Sequence, residues 1–195
     1  AYFTLVVGAG IMRFWDLGSR ALHHDESLHA YFSWQLSIGN GYVHNPMMHC
    51  PLQFELNAVL FYIFGVTDVT ARSLYAVFGV LLVVCPLLLR DKLGRAGCFI
   101  AALLLAFSPA LLYFSRFARN DILIAVWTFA LIAFLWRYLD SGKNRYLFGT
   151  AFALALSFSS KESTYFTVAI LSIYLGFILI RRNLHLIYRQ NNLYG

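Results

Sequence analysis

The sequence predicts an all-α, polytopic transmembrane domain of about six spans, with juxtamembrane amphipathic helices in its first external loop. Three observations carry this. Of 195 residues, 60% are hydrophobic and only 12% charged, whereas a soluble domain is nearer half apolar and a quarter charged. Apolar runs recur along the chain at about the length a helix needs to cross a hydrocarbon core of roughly 30 Å. The Lys and Arg residues between these runs fall mainly on one side. A soluble globule, a disordered chain and a collagen are thereby excluded. So is a disulfide scaffold, since the chain has three cysteines: Cys85 and Cys98 lie in apolar runs and Cys50 has no evident partner. The net charge of +6 is scattered singly between spans, never in a stripe, so it reads as a topology signal and not as a nucleic-acid surface.

In order along the chain, Ala1–Trp15 reads as the end of a first span. Further spans follow at Val69–Leu89, Ala96–Ser115, Ile122–Tyr138, Tyr146–Ser160 and Thr164–Ile180. The chain starts inside an apolar run and closes on Arg189-Gln190-Asn191-Asn192 without a secretory signal pattern. It is therefore expected to be a portion of a longer protein. No internal repeat or low-complexity tract appears, so residues 1–195 read as one transmembrane domain.

The segment 16–65 is the long external loop. Within it Leu28, Tyr31, Phe32, Gln35 and Leu36 repeat at helical spacing, and Gly39-Asn40-Gly41 ends the run. That is an amphipathic helix suited to the interface. Pro51–Gly65 is a second apolar stretch, short and carrying Glu55 and Asn57, with Pro51 well placed for a first turn. Sidedness decides its role. If it lies along the surface, Arg90, Lys92, Arg95, Arg137, Lys143, Arg145, Arg181, Arg182 and Arg189 share one face with only Asp91 and Asp140. The opposite face then holds Arg13, Arg20, Arg72, Arg116, Arg119 and Lys161 with seven acids. A crossing there would split the basic loops between the two sides.

The unusual polar residues gather at the external ends of the spans: His23-His24-Asp25-Glu26 with His29, then His49, then Arg116, Arg119, Asn120 and Asp121, then Lys161 and Glu162. Carboxylates, imidazoles and cations converging at a membrane surface point to a functional site. Each also has a plainer reading. Asp25 and Asp121 both precede helical runs and would serve as N-caps. Asp121 would neutralise Arg119 or Arg116, and Lys161 and Glu162 would face headgroups. His24 and His29 are weak metal candidates beside Asp25, because no compact ligand signature accompanies them. No Ser/His/Asp triad, glycine-rich phosphate loop or Cys-x-x-Cys motif is present.

The joint order of motifs is more specific than any one of them. It runs Asp25-Glu26, then Pro51-Leu52 through Phe64-Gly65, then Ala71-Arg72, Ser108-Pro109, Ser115-Arg116 with Arg119-Asn120-Asp121, and Lys161. This order resembles the GT-C membrane glycosyltransferases, among them the protein O-mannosyltransferases and the lipid A aminoarabinose transferases. The likeness is nearest to the prokaryotic flippase-activity-associated branch, through His23–Glu26 and Ser160–Glu162. Two departures stand out: His49-Cys50-Pro51 replaces an expected His-Gly-Pro, and Arg119-Asn120-Asp121 replaces Arg-Glu-Asp. The larger departure is length, and the resemblance implies that residues 1–195 are the N-terminal portion of a longer module.

The resemblance implies inverting transfer of a sugar from a polyprenyl-phosphate donor to an acceptor at the extracytoplasmic face of a plasma membrane. In it Asp25, Glu26 and Asp121 are the catalytic candidates, with Asp25 as base. Lys161, Arg116, Arg119, His49 and Glu162 are the substrate-binding candidates. No cofactor is indicated beyond an open place for a divalent metal. The implied partners are the lipid-linked sugar and membrane lipid, with other subunits of a membrane complex left open and no nucleic acid. The alternative is a non-enzymatic structural subunit of a larger membrane assembly, which the aromatic content would suit but which has no need of so many external charges. A transporter fits less well, because neither Pro86 nor Pro109 interrupts the middle of a span.

Overall fold

A computed structural model describes residues 1–43, 48, 49 and 51–191, with side chains as far as Asn183. Cys50 and the side chain of Arg189 lie outside the described residues. Among those described there are helices and no strand: α1 (Tyr2–Phe14), α2 (His24–Ser37), α3 (Leu52–Phe64), α4 (Asp68–Val84), a 3₁₀ turn (Cys85–Leu89), α5 (Arg90–Phe107), α6 (Pro109–Phe114), α7 (Asp121–Ser141), α8 (Asn144–Phe158) and α9 (Thr164–Asn191). The chain divides into two compact units, Ala1–Glu162 and Ser163–Gly195.

In the first unit α4 is the central helix. Leu74, Tyr75, Phe78 and Leu82 pack with Ala118, Ile122, Leu123 and Val126 in the main core. A second core joins α1 to α4 and α5 through Ala9, Val83, Ala102 and Ala106. Three of these four are alanines, and small residues let helix backbones approach closely where lipid supplies no hydrophobic drive between helices. The opposite side of α1 (Phe3, Val7, Ile11, Phe14) is exposed, as expected of a helix with one face toward lipid. Antiparallel to α7, α8 follows a turn closed by Gly142 in the left-handed region at φ 62°.

Among the described residues three helical stretches are long and apolar enough to cross a membrane: Asp68–Phe107, Asp121–Ser141 and Thr164–Asn183. The first holds two of the expected crossings, separated by the 3₁₀ turn at Pro86 and by Gly94, whose φ of 66° and ψ of −178° break the helix. With 13 and 15 residues, α1 and α8 are shorter than a full crossing of about 20. The expected span Ala96–Ser115 is two helices. Ser108 is extended and Pro109 opens α6, because proline lacks the N–H that would continue the ladder and disfavours the helical region for its predecessor.

That break leaves the carbonyl of Leu105, four residues before Pro109, without a helical donor. The guanidinium of Arg13 supplies one: Nη2 donates to Leu105 O at 3.3 Å, Nη1 to Ala9 O and Nε to Ser115 Oγ. Arg13 is fully buried. Sequence alone placed it among the external loop charges, but it bolts α1 to the α5–α6 bend. Gly79 makes room for it, since a Cβ there would lie 2.3 Å from Ser115 Oγ and 2.7 Å from Arg13 Nε.

Two of the turns expected on the basic face lie together. At one end of the bundle Arg137 Nη2 bonds Asp91 Oδ1 at 2.8 Å and Lys92 pairs with Asp140, joining the α4–α5 and α7–α8 turns. The candidate site lies with the other turns. The second unit is α9, whose Phe166, Ile170, Ile173, Tyr174 and Phe177 are exposed; an apolar surface of this kind suits lipid.

Candidate functional site

The helix α2 starts at a capping box. His23 Nδ1 accepts from the Asp25 amide at 3.3 Å, and the Glu26 carboxylate accepts from the His23 amide at 2.9 Å. His23 is therefore the cap, and the expectation of Asp25 in that position is corrected. Asp25 sits in the first turn, half-buried, where its charge is favourable to the helix dipole. The same correction applies to α7, where Asn120 holds the cap position and Asp121 is the first helical residue.

Asp25 and Glu26 are adjacent in sequence and placed in opposite surroundings. Glu26 is fully buried at 0% exposure. Its Oε1 accepts from Arg72 Nε at 2.8 Å and from the Ala118 amide at 3.0 Å, and its Oε2 from Arg72 Nη2 at 2.8 Å, Arg20 Nη2 at 3.3 Å and the His23 amide. Burial pushes this carboxyl up, but the Arg72 hydrogen bond and the two amides outweigh it and hold the group below its ordinary value. Arg72 is saturated too: its remaining N–H groups go to the carbonyls of Leu17, Arg20 and Ala21. The pair ties the start of α2, the start of α4 and the 115–120 turn into one knot.

On that frame a ladder of alternating charge is mounted. Asp25 Oδ2 lies 3.5 Å from Arg119 Nη1, Arg119 Nε lies 3.4 Å from Asp121 Oδ2, and Asp121 Oδ1 lies 2.5 Å from Lys161 Nζ. Its members come from α2, the turn before α7, the first residue of α7, and the turn after α8. Of the two arginines offered for Asp121 by sequence, Arg119 is its partner. Asn120 fixes the spacing: buried, it donates Nδ2–H to Ser160 O at 2.9 Å. A carboxylate at this position has no hydrogen to donate to a carbonyl, which gives a physical reason for Asn where the resemblance led one to expect Glu.

His49 lies beside Glu162, Nδ1 to Oε2 at 2.9 Å, and its backbone is in the left-handed region at φ 64°. Non-glycine residues rarely stay there, and the strain concentrates at functional sites. His24, Asp25, Leu28, His29, Met48, His49 and Arg119 line a pocket of about 230 Å³. The buried His29 has a fixed tautomer. Gln53 Nε2 donates to Met48 O at 3.4 Å while Tyr75 Oη–H donates to Gln53 Oε1 at 3.4 Å, which sets the amide orientation. The same Nε2 lies 3.1 Å from His29 Nδ1, so Nδ1 accepts and the neutral ring carries its hydrogen on Nε2. Burial, then the charges of His49 and Arg119, push its pKa down to about 4. Among the described residues no group of three His, Cys, Asp or Glu side chains is placed to hold a metal ion; His29, one of the two weak candidates, spends its unprotonated nitrogen on Gln53.

Arg116 departs from the group. Its Nη1 donates to Met12 O at 2.7 Å and its Nη2 to Asp16 O at 3.4 Å, and it lines a separate cleft. Of the residues singled out from sequence, the structure brings together Asp25, Arg119, Asp121 and Lys161, and His49 with Glu162; the burial of Glu26 and the Tyr75–Gln53–His29 relay were not anticipated. An arginine inside an apolar run, as Arg72 is, was the available signal.

A helical membrane domain with carboxylates and cations gathered at one end of its spans has the build of a membrane glycosyltransferase of the GT-C type. Comparison agrees: residues 48–191 match the family model described as dolichyl-phosphate-mannose-protein mannosyltransferase, and the chain belongs to that family. The matched region includes Arg119, Asp121 and Lys161 and starts after Asp25. No curated protein and no solved structure matches the chain.

Proposed function

We propose that the chain transfers a sugar, with inversion, from a polyprenyl-phosphate donor to an acceptor hydroxyl at the extracytoplasmic face of a plasma membrane. The observation that carries this is the ladder Asp25–Arg119–Asp121–Lys161. Such a reaction needs a carboxylate near an acceptor and cations near a departing phosphate, and the ladder alternates the two.

In this reading the acceptor oxygen attacks the anomeric carbon as the bond from that carbon to the phosphate oxygen breaks. The acceptor proton passes to Asp25, which is half-buried, and the lipid phosphate leaves with the bonding electrons. Lys161 and Arg119 stabilise the charge that grows on that phosphate. Asp121 holds both cations in place before the donor arrives. His49 assists at the phosphate, and Glu162 orients His49. Neutral His29 offers Nε2–H, a donor that does not itself change charge near neutral pH. Glu26 is a positioning residue, since all its near donors belong to the protein.

The test is transfer from a labelled polyprenyl-phosphate sugar by the full chain in proteoliposomes, with the anomeric configuration of the product read by NMR. Inverted product, and donor affinity weakened in Lys161→Gln, support the reading. Retained configuration, or donor affinity unchanged in that variant, overturns it.

A further inference from the structure

The cleft that receives Arg116 has no place in the chemistry just described. It has a volume of about 460 Å³, its lining includes Leu17, Arg20, Pro109, Leu112, Tyr113 and Arg116, and it shares no residue with the pocket beside His29. Beside the cleft the Phe117 ring stacks 5.4 Å from that of Tyr113, with its other neighbour His23 at 5.6 Å.

The cleft carries excess positive charge. Arg72, in its lining, and Glu26 neutralise one another. Arg20 has a share of the same carboxylate at 3.3 Å and is otherwise 57% exposed. Arg116 is gripped by two backbone carbonyls, which position a guanidinium without cancelling its charge. Next to it, through Ser115, lies the buried Arg13, also held by carbonyls and a hydroxyl. Arg13 lies behind the cleft and does not line it; the three arginines that do, Arg20, Arg72 and Arg116, stand against the buried Glu26 and the exposed Asp16, which is itself in the lining.

The other walls are apolar: Leu17, Pro109, Leu112 and the Tyr113 ring. Tyr113 and the neighbouring Trp15 are exposed, at 50% and 73%. Exposed Trp and Tyr at the ends of spans mark the headgroup level of a bilayer. A cationic floor, an apolar wall and that depth together select a phosphate attached to an acyl chain over a soluble ion.

We propose that this cleft binds the headgroup phosphate of an anionic glycerophospholipid from the bilayer, on Arg20 and Arg116, with the acyl chain along Leu17, Leu112 and Tyr113. It is a resident-lipid site, apart from the ladder that serves transfer.

The test uses the full chain in phosphatidylcholine nanodiscs containing a small fraction of spin-labelled phosphatidylglycerol, with the immobilised fraction read by electron paramagnetic resonance. The wild type should immobilise the anionic lipid about tenfold in preference to labelled phosphatidylcholine. The pair Arg20→Gln and Arg116→Gln should remove most of that preference. Ser19 also lines the cleft, its hydroxyl donating to Asp16 O; Ser19→Glu adds a negative charge there without removing an arginine, should do the same, and decides the matter if the double variant does not fold. Lys161→Gln should leave the preference unchanged. The proposal is overturned if the preference survives Ser19→Glu or falls equally in Lys161→Gln. It is also overturned if excess inorganic phosphate releases the lipid, which would make the cleft a general anion site, or if polyprenyl phosphate displaces it at equal concentration, which would make it part of the donor groove.

Discussion

Replacing Glu26 by alanine perturbs one carboxylate and reaches three segments. Five donors converge on that group: two from Arg72, one from Arg20, and the amides of His23 and Ala118. The alanine variant leaves the Arg72 guanidinium buried without its counter-charge, a change worth about 3–5 kcal/mol. Two amides also lose their acceptor, which overlaps with that figure because the same segments relax together. For a chain of this length the loss corresponds to a fall of about 6–20 °C in melting temperature. The assay is thermal unfolding of the purified full chain in detergent, followed by tryptophan fluorescence. Glu26→Gln keeps the shape but removes the charge and turns N–H groups toward Arg72, so it should melt well below wild type as well. The pH dependence has a definite sign. Glu26 has a folded pKa below its ordinary 4.5, so its contribution is complete above that value and is lost as pH falls through the lower, folded one. A Glu26→Ala variant that melts within about 2 °C of wild type would refute the knot as a structural element.

Four further outcomes follow from the geometry. His29, ordinary at 6.5 and about 4 when folded, should make the chain lose stability as pH falls from 6.5 toward 4, by up to about 3 kcal/mol, because the unfolded state alone gains the proton; His29→Gln should flatten that slope in urea or thermal titrations. Arg13→Met should cost about 1–3 kcal/mol by orphaning the carbonyl of Leu105, measured by the same melts. Gly79→Ala should cost about 1–3 kcal/mol through its clash with Ser115 and Arg13, and an unchanged melting temperature would contradict the close approach. Asn120→Asp, nearly isosteric, sets a carboxylate against the Ser160 carbonyl and should lower both stability and transfer, whereas Asn120→Ser should lower stability less.

Much of this was legible in residue order, for reasons specific to each element. The period of Leu28, Tyr31, Phe32, Gln35 and Leu36 gave α2, and the Gly39-Asn40-Gly41 stop agrees with its end at Ser37. Ile122–Tyr138 falls inside α7 because an uninterrupted apolar run has few alternatives in a bilayer. Ser108-Pro109 lies inside the expected span Ala96–Ser115, although proline's missing N–H is enough to break a helix there; what the sequence does not carry is that Arg13, 92 residues away from Leu105, compensates. The ladder residues were found because unusual polar side chains at span ends are few. The different surroundings of Asp25 and Glu26 were not readable, since neighbours in sequence diverge only once a helix turns one toward α4 and leaves the other at the open side. Likewise Gln53 and Tyr75 are unremarkable in sequence, and only packing brings them to His29.

A ladder that is the transfer site, with Asp25 as its base, depends on that carboxylate for turnover and on Glu26 for its frame. The most direct measurement is turnover of Asp25→Asn with a labelled polyprenyl-phosphate sugar, alongside its melting temperature. Asn keeps the size and the position in the first turn of α2 but cannot take the proton. The account predicts a loss of about 10²–10⁴ in turnover at a melting temperature close to wild type. Turnover near wild type would contradict it and leave Asp25 as a helix-dipole partner of α2 and Arg119.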